Sequence, residues 1–164
     1  MRKRTRTSRP RPDDEEAARE RCLRLLAVRP RSAAELLGRL HNAGFSEETA
    51  GRVVSGLAEA GLVDDKEFAR AWVAERLAAG AGRQKLRWEL RRKGIAADLI
   101  SQEVDQRVTD EVEAEQALAL ARRRLGDRRP EGPELDRLRR LLLGRGFGFE
   151  TVATVLRRLC PEQE

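Results

Sequence analysis

A cluster of basic side chains around a tryptophan, between residues 83 and 93, is the part of the sequence best suited to binding chemistry. On a helix that turns about 100° per residue, Trp88 lies about 200° from Leu86 and close to Lys85 and Arg92. An indole among cations can form a protein–protein hot spot or a stacking platform for nucleic-acid bases. The alternative is that Trp88 packs against a neighbouring repeat, since helices in repeat arrays bury two faces.

Residues that could perform catalysis or hold a metal are scarce. His41 is the only histidine, and it lies off the apolar stripe of its predicted helix, where we expect it to be solvated. Cys22 and Cys160 have no metal-ligand spacing, and no phosphate-binding glycine loop is present. We therefore predict that the protein is not an enzyme and has no cofactor or metal site, and that Cys22 is a buried apolar residue.

The net charge of +6 comes from the first twelve residues, which contain basic but no acidic side chains. The rest of the chain balances its 28 acidic residues with an equal number of basic ones. An arginine- and proline-rich segment without apolar side chains cannot offset its ordering entropy, so residues 1–13 are predicted to be a disordered basic tail. The tail could contact phosphates or an acidic surface, or act only as a solubilising leader.

The distribution of apolar residues argues against a membrane or secreted protein. No apolar run is long enough to span a bilayer, and the basic N-terminus has no apolar segment behind it, as a secretory signal would have. Two cysteines do not make a disulfide framework, which suits a reducing compartment. We expect a cytoplasmic protein with no membrane association.

The sequence is predicted to be helical between its prolines, and the helices repeat. It is rich in Ala, Leu, Arg and Glu, and it has no run of alternating β-branched and aromatic residues. Three blocks follow the same pattern around Gly44, Gly94 and Gly146, with apolar residues eight and four positions before the glycine and one, six and ten positions after it. These residues are Leu36, Leu86 and Leu138; Leu40, Leu90 and Leu142; Phe45, Ile95 and Phe147; Ala50, Ile100 and Val152; and Val54, Val104 and Leu156.

Each block is interpreted as a helix–turn–helix pair whose glycine adopts a left-handed conformation at the end of the first helix. A further helix precedes each pair, at residues 15–27, 66–79 and 112–125. The predicted fold class is thus all-α. Three tandem three-helix repeats, at about 14–62, 63–108 and 109–160, follow the disordered basic tail.

Two motifs lie at the boundary between the first two repeats and within the second. Residues 61–70 read GLVDDKEFAR, and residues 82–95 contain GRQKL, EL and KGI in that order. They resemble the GLLDD-x-x-F-A signature and the G-x-x-x-I/L-x-x-E-L-x-x-K/R-G-I segment of the RecX family. Val63 replaces the commoner leucine, and Gly80-Ala81-Gly82 is a glycine-rich version of the usual turn. The resemblance to the RecX family, with its tandem three-helix units, covers about residues 15–160.

The resemblance implies a bacterial cytoplasmic regulator that binds the RecA filament on single-stranded DNA and has no catalytic activity. Members of the family inhibit the recombinase, ATPase and coprotease activities of RecA, and so modulate recombinational DNA repair and the SOS response. The implied molecule is a monomer, an elongated, curved array of helices that lies in the filament groove and could also bind DNA weakly. The implied contact residues are Arg76, Arg83, Lys85, Arg87, Trp88, Arg91, Arg92, Arg139 and Arg140.

Two other classes of protein stay open at this point. Residues 32–63 have the order of a winged-helix DNA-binding domain, which would make the protein a transcription regulator. That fold needs a β-wing after Val63, whereas Asp64 and Asp65 are predicted to begin another helix. The other class is a non-specific nucleic-acid-binding protein that uses the tail and the Trp88 helix, and its neutral body predicts weak, salt-dependent binding.

Overall fold

A computed structural model describes residues 11–126 and 128–160, and within these ranges it contains helices and no strand. The prediction of an all-α protein built from three-helix units is confirmed. The helices are α1 (Glu15–Val28), α2 (Ala33–Ala43), α3 (Glu47–Glu59), α4 (Asp65–Ala78), α5 (Arg83–Arg92), α6 (Ala97–Ile100), α7 (Asp110–Leu125), α8 (Pro133–Gly144) and α9 (Phe149–Leu159), and a π-helical turn (Ser101–Asp105) continues α6.

The chain forms two compact units, one that ends at Phe68 and one that begins at Ala69. In the first unit α1 packs on α2 and α3, and in the second unit α7 packs on α8 and α9 while α5 packs on α6 and its π-helical turn. The boundaries of the three sequence repeats remain a prediction.

Most of the predicted basic tail, residues 1–10, lies outside the described residues. The last part of that segment, residues 11–13, forms a turn in which the Asp14 amide donates to the Arg11 carbonyl at 3.1 Å. The Pro12 carbonyl accepts a hydrogen bond of 2.9 Å from the Ser46 amide at the start of α3. The chain is therefore attached to the first unit from residue 12 onwards.

The repeat pattern describes the core accurately. Fourteen of the fifteen apolar residues that the three blocks share are buried, and only Leu156 is half-buried while its neighbour Val155 is buried instead. Gly44, Gly94 and Gly146 all have a positive φ, between 73° and 95°, as the predicted helix ends require.

Polar residues begin the helices where the sequence predicts them. The Ser46 hydroxyl accepts a hydrogen bond from the Thr49 amide at the start of α3, and Asp64 accepts from the amides of Lys66 and Glu67 at the start of α4. Asp65 has a different role, because its carboxylate accepts a 2.8 Å hydrogen bond from the first amide of α2. The two aspartates of the GLVDD motif therefore cap two separate helices.

A carboxylate from the following repeat caps the second helix of each of the first two repeats. Asp65 of α4 accepts from the Ala33 amide of α2, and Glu113 of α7 accepts from the Arg83 amide of α5 at 2.8 Å. Ala33 and Arg83 stand at the same distance before Gly44 and Gly94. The equivalent helix of the third repeat, α8, begins at Pro133, which has no amide hydrogen to satisfy.

The turn after α8 lies directly on the start of α5. The Gly82 amide donates to the Arg145 carbonyl at 2.8 Å, and the Gln84 amide donates to the Gly146 carbonyl at 3.0 Å. A Cβ on Gly82 would lie far inside van der Waals contact with the backbone of Gly146 and Phe147. Glycine at this position thus permits a backbone-to-backbone contact between the second and third repeats.

Candidate partner-binding surface

Trp88 is exposed on α5, on the face away from the core. Leu86 and Leu90 of the same helix are fully buried, whereas 53% of Trp88 is exposed. The Arg92 guanidinium lies over its ring, 4.7 Å from the centroid, and Arg91 is exposed on the same helix. An exposed indole held by a cation–π contact is available to a partner, so Trp88 is not a residue that a neighbouring repeat buries.

The rest of the predicted basic face of α5 is engaged within the second unit. Arg83 pairs with Asp110 at 2.8 Å, and Arg87 pairs with Asp105. Lys85 is half-buried, and its backbone lies against Gly146. Of the predicted contact residues on α5, only Trp88 and the two last arginines are left exposed and without an ion pair among the residues the structure describes.

Arg76 belongs to a polar cluster between α4 and α5. Its guanidinium donates to both carboxylate oxygens of Glu89, at 2.6 and 2.8 Å, and Trp72 donates its indole N–H to the same carboxylate at 3.0 Å. Burial acts to raise the pKa of Glu89, but the hydrogen bonds from Arg76 and Trp72 outweigh it, so the pKa lies below its ordinary value. The hydrogen bond to Glu89 in turn raises the pKa of Arg76. Arg76 therefore holds two helices together.

Arg139 and Arg140 are exposed on α8 and use only weak local contacts. Arg139 lies 3.3 Å from the Asp136 carboxylate, three residues earlier on the same helix, and both side chains are more than half exposed. The Arg140 guanidinium donates to the Asp136 carbonyl at 3.3 Å. Exposed pairs of this kind contribute little free energy, so both arginines can turn toward a ligand.

Sequence reasoning named only Arg140 of a second basic surface, which lies on the third repeat. A cleft of about 960 Å³ between α7 and α8 is lined largely by arginine and leucine. The signal that could have found it is the density of arginines at residues 122–124 and 137–140, which fall on two helices of one repeat. Its six arginines are Arg123, Arg124, Arg128, Arg137, Arg140 and Arg145.

The residues considered for catalysis lie apart from these surfaces. His41 is exposed, and Cys22 is fully buried, where desolvation raises the pKa of its thiol. The Cys160 thiol is partly buried and donates to the Pro130 carbonyl at 3.4 Å. The described part of the chain contains no group of three metal-ligating side chains and no helix with the length and apolar character to cross a bilayer.

Comparison with known proteins identifies the family. Two family models match, the first three-helix domain of RecX at residues 18–57 and the second at residues 64–103. The regulatory protein RecX of Mycobacterium leprae (strain Br4923) is 39% identical over 159 residues, which are 93% of this chain and 91% of that protein. This chain belongs to the RecX family. The M. leprae match extends to the third repeat of the RecX-family chain, beyond the two matched domains.

Other RecX proteins are similar over a shorter stretch or in fold. The regulatory protein RecX of Mycobacterium sp. (strain JLS) is 50% identical over 91 residues, so the match spans 55% of this chain and only half the length of that relative. The crystal structure of RecX from Lactobacillus salivarius has a TM-score of 0.78 over 90% of this chain and 97% of its own, at 21% identity. At that identity the similarity shows a shared fold.

Proposed function

We propose that this protein binds the RecA filament on single-stranded DNA and inhibits its recombinase, ATPase and coprotease activities. Membership of the RecX family, shown by a match over nearly the whole chain, is the observation that carries the proposal. The protein would act in the cytoplasm by binding alone, without catalysing a reaction, and would thereby restrain recombinational repair and the SOS response.

The exposed face of α5 is the proposed contact with the filament protein. Trp88 offers a large, rigid surface, and the guanidinium of Arg92 orients it before a partner arrives. Tryptophan and arginine are among the residue types most enriched in interface hot spots, and tryptophan buries a large area for little lost conformational freedom. Arg91 adds a positive charge that the described residues do not neutralise.

Hydrolysis of ATP by RecA on single-stranded DNA tests the proposal. The protein is titrated into a reaction in which free DNA is in excess, so that competition for DNA cannot explain a loss of activity. We expect inhibition at concentrations well below that of RecA. A wild-type protein that leaves ATP hydrolysis unchanged, or inhibits only when it sequesters DNA, would contradict the proposal.

Two aromatic substitutions locate the contact. Trp88→Ala is expected to raise the half-inhibitory concentration at least about tenfold, which is typical of a hot-spot truncation. Phe149→Ala is the matched control, because Phe149 is also exposed, at 76%, but stands at the start of α9. Equal effects of the two variants would remove Trp88 from the proposed contact.

The winged-helix alternative has no support in the structure. A wing would have to follow Val63, but α4 begins at Asp65 and is capped by Asp64. The helices α2 and α3 are instead part of a three-helix unit that recurs along the chain.

A further inference from the structure

The α7–α8 cleft is a concave surface with one sign of charge. Among the described residues, its lining contains six arginines and a single acidic residue, Glu134. The apolar part of the lining comes from four leucines of the two helices, of which Leu125 and Leu138 are buried and Leu120 and Leu141 half-buried. Such a surface attracts anions strongly, because low-dielectric walls focus the field of the charges around them.

The arginines of the cleft are poorly neutralised. Arg128 lies 3.5 Å from Glu134, with 72% of its side chain exposed, so this ion pair is weak. Across residues 11–126 and 128–160, no ion pair involves Arg123, Arg124 or Arg137. This differs from α5, where acidic residues pair with two of the arginines. Three arginines without an ion pair among the described residues therefore line one cleft in the third repeat.

The spacing of the arginines suits a ligand with several negative charges in a row. Arg137 and Arg140 are three residues apart on α8 and so share a face, opposite Arg123 and Arg124 of α7 across the cleft. A guanidinium binds phosphate oxygens in a bidentate manner. A nucleic-acid strand carries a phosphate at every residue, so it can engage several of these arginines without a fixed register.

We propose that the α7–α8 cleft binds consecutive phosphates of a single-stranded nucleic-acid backbone. This inference rests on the proposed function, because the single strand would be the DNA of the RecA filament. In this arrangement Trp88 of α5 contacts the filament protein, and the cleft contacts the DNA strand.

Binding of the full-length protein to a fluorescein-labelled oligothymidylate, followed by fluorescence anisotropy without RecA, tests the cleft. The double variant Arg123→Glu/Arg137→Glu is expected to bind at least about tenfold more weakly, because each charge-assisted hydrogen bond to a phosphate is worth about a factor of ten. Arg19→Glu/Arg21→Glu is the matched control, since both arginines are exposed on α1 and the net charge changes equally. We expect its affinity to stay within about twofold of the wild type.

A double variant with uncharged side chains and two competing anions test the proposal further. Arg123→Gln/Arg137→Gln should lower the slope of log affinity against log salt by about 1.4, or about 0.7 for each phosphate that the protein no longer neutralises. Equal weakening of the cleft and control variants, or an unchanged slope, would overturn the proposal. Displacement of the oligonucleotide by tripolyphosphate at equal or lower charge concentration would also overturn it, because the ligand would then be a free polyphosphate. The same displacement by polyglutamate would mean that the ligand is an acidic polypeptide.

The two proposals can fail separately. Loss of oligonucleotide binding in the cleft variant supports the cleft even if the wild type does not inhibit RecA. Conversely, strong inhibition of RecA by the cleft variant, together with unchanged binding to the oligonucleotide, would remove the cleft and leave the proposed function intact. Circular dichroism that matches the wild type shows that each variant is folded.

Discussion

Replacement of Gly82 by alanine is expected to destabilise the second unit by about 2–4 kcal/mol. The backbone of Gly82 has φ −79° and ψ 165°, which alanine adopts without strain. Any loss of stability must therefore come from crowding, because the added Cβ would press on the backbone of Gly146 and Phe147. A backbone segment would have to retreat by about 1 Å before ordinary contact distances return.

The magnitude follows from the hydrogen bonds that such a retreat breaks. Those from Gly82 to Arg145 and from Gln84 to Gly146, at 2.8 and 3.0 Å, would both lengthen beyond hydrogen-bonding distance. Each is worth about 1 kcal/mol net, and a buried amide left without an acceptor costs about 1–3 kcal/mol. Gly82 is buried, so part of the larger penalty applies.

Urea unfolding followed by circular dichroism measures this change, and hydrogen exchange at the Gly82 and Gln84 amides reports the broken hydrogen bonds. Gly144→Ala is the control, because Gly144 ends α8 with open space where an added Cβ would lie. That variant should be unchanged or more stable by up to about 1 kcal/mol. The reasoning is refuted if Gly82→Ala unfolds within about 0.5 kcal/mol of Gly144→Ala and its amides remain protected.

Three further outcomes are expected. Asp65→Ala should lower the free energy of unfolding in urea by about 1–2 kcal/mol, because it removes a helix cap. The control Glu59→Ala, at an exposed helix end, should lower it by less than about 0.5 kcal/mol. Equal losses would rule out the capping role. Because the pKa of Glu89 is lowered, its ion pair stabilises the fold above pH 4.5, the ordinary pKa, and is lost as the pH falls through the lowered pKa. The difference in unfolding free energy between wild type and Glu89→Gln should therefore shrink in acid. A difference that is independent of pH would contradict this. A thiol reagent should modify partly buried Cys160 before Cys22, whose thiol is fully buried and has a raised pKa, and a Cys160→Ser variant that keeps the fast phase would show otherwise.

The helices and the core could be predicted from the sequence because both depend on local spacing. Leucines four residues apart mark the buried face of a helix, and a glycine at its end marks the turn, so fourteen of the fifteen apolar positions in the three blocks around Gly44, Gly94 and Gly146 are buried as predicted. The exposed His41 and the buried Cys22 follow from the same regularities, whereas periodicity placed Trp88 off the core stripe and did not decide whether a neighbouring repeat buries it.

The state of the arginines was decided by the tertiary structure alone. Periodicity placed Arg83 and Arg87 on an outer face, but it could not show that Asp110 and Asp105, 27 and 18 residues later, would neutralise them. The cleft between α7 and α8 could not be predicted for the same reason, because its lining comes from two helices that are joined by a loop. A helical repeat in a sequence specifies which side of each helix is buried, whereas charge pairing and concave surfaces depend on how separate helices are oriented against one another.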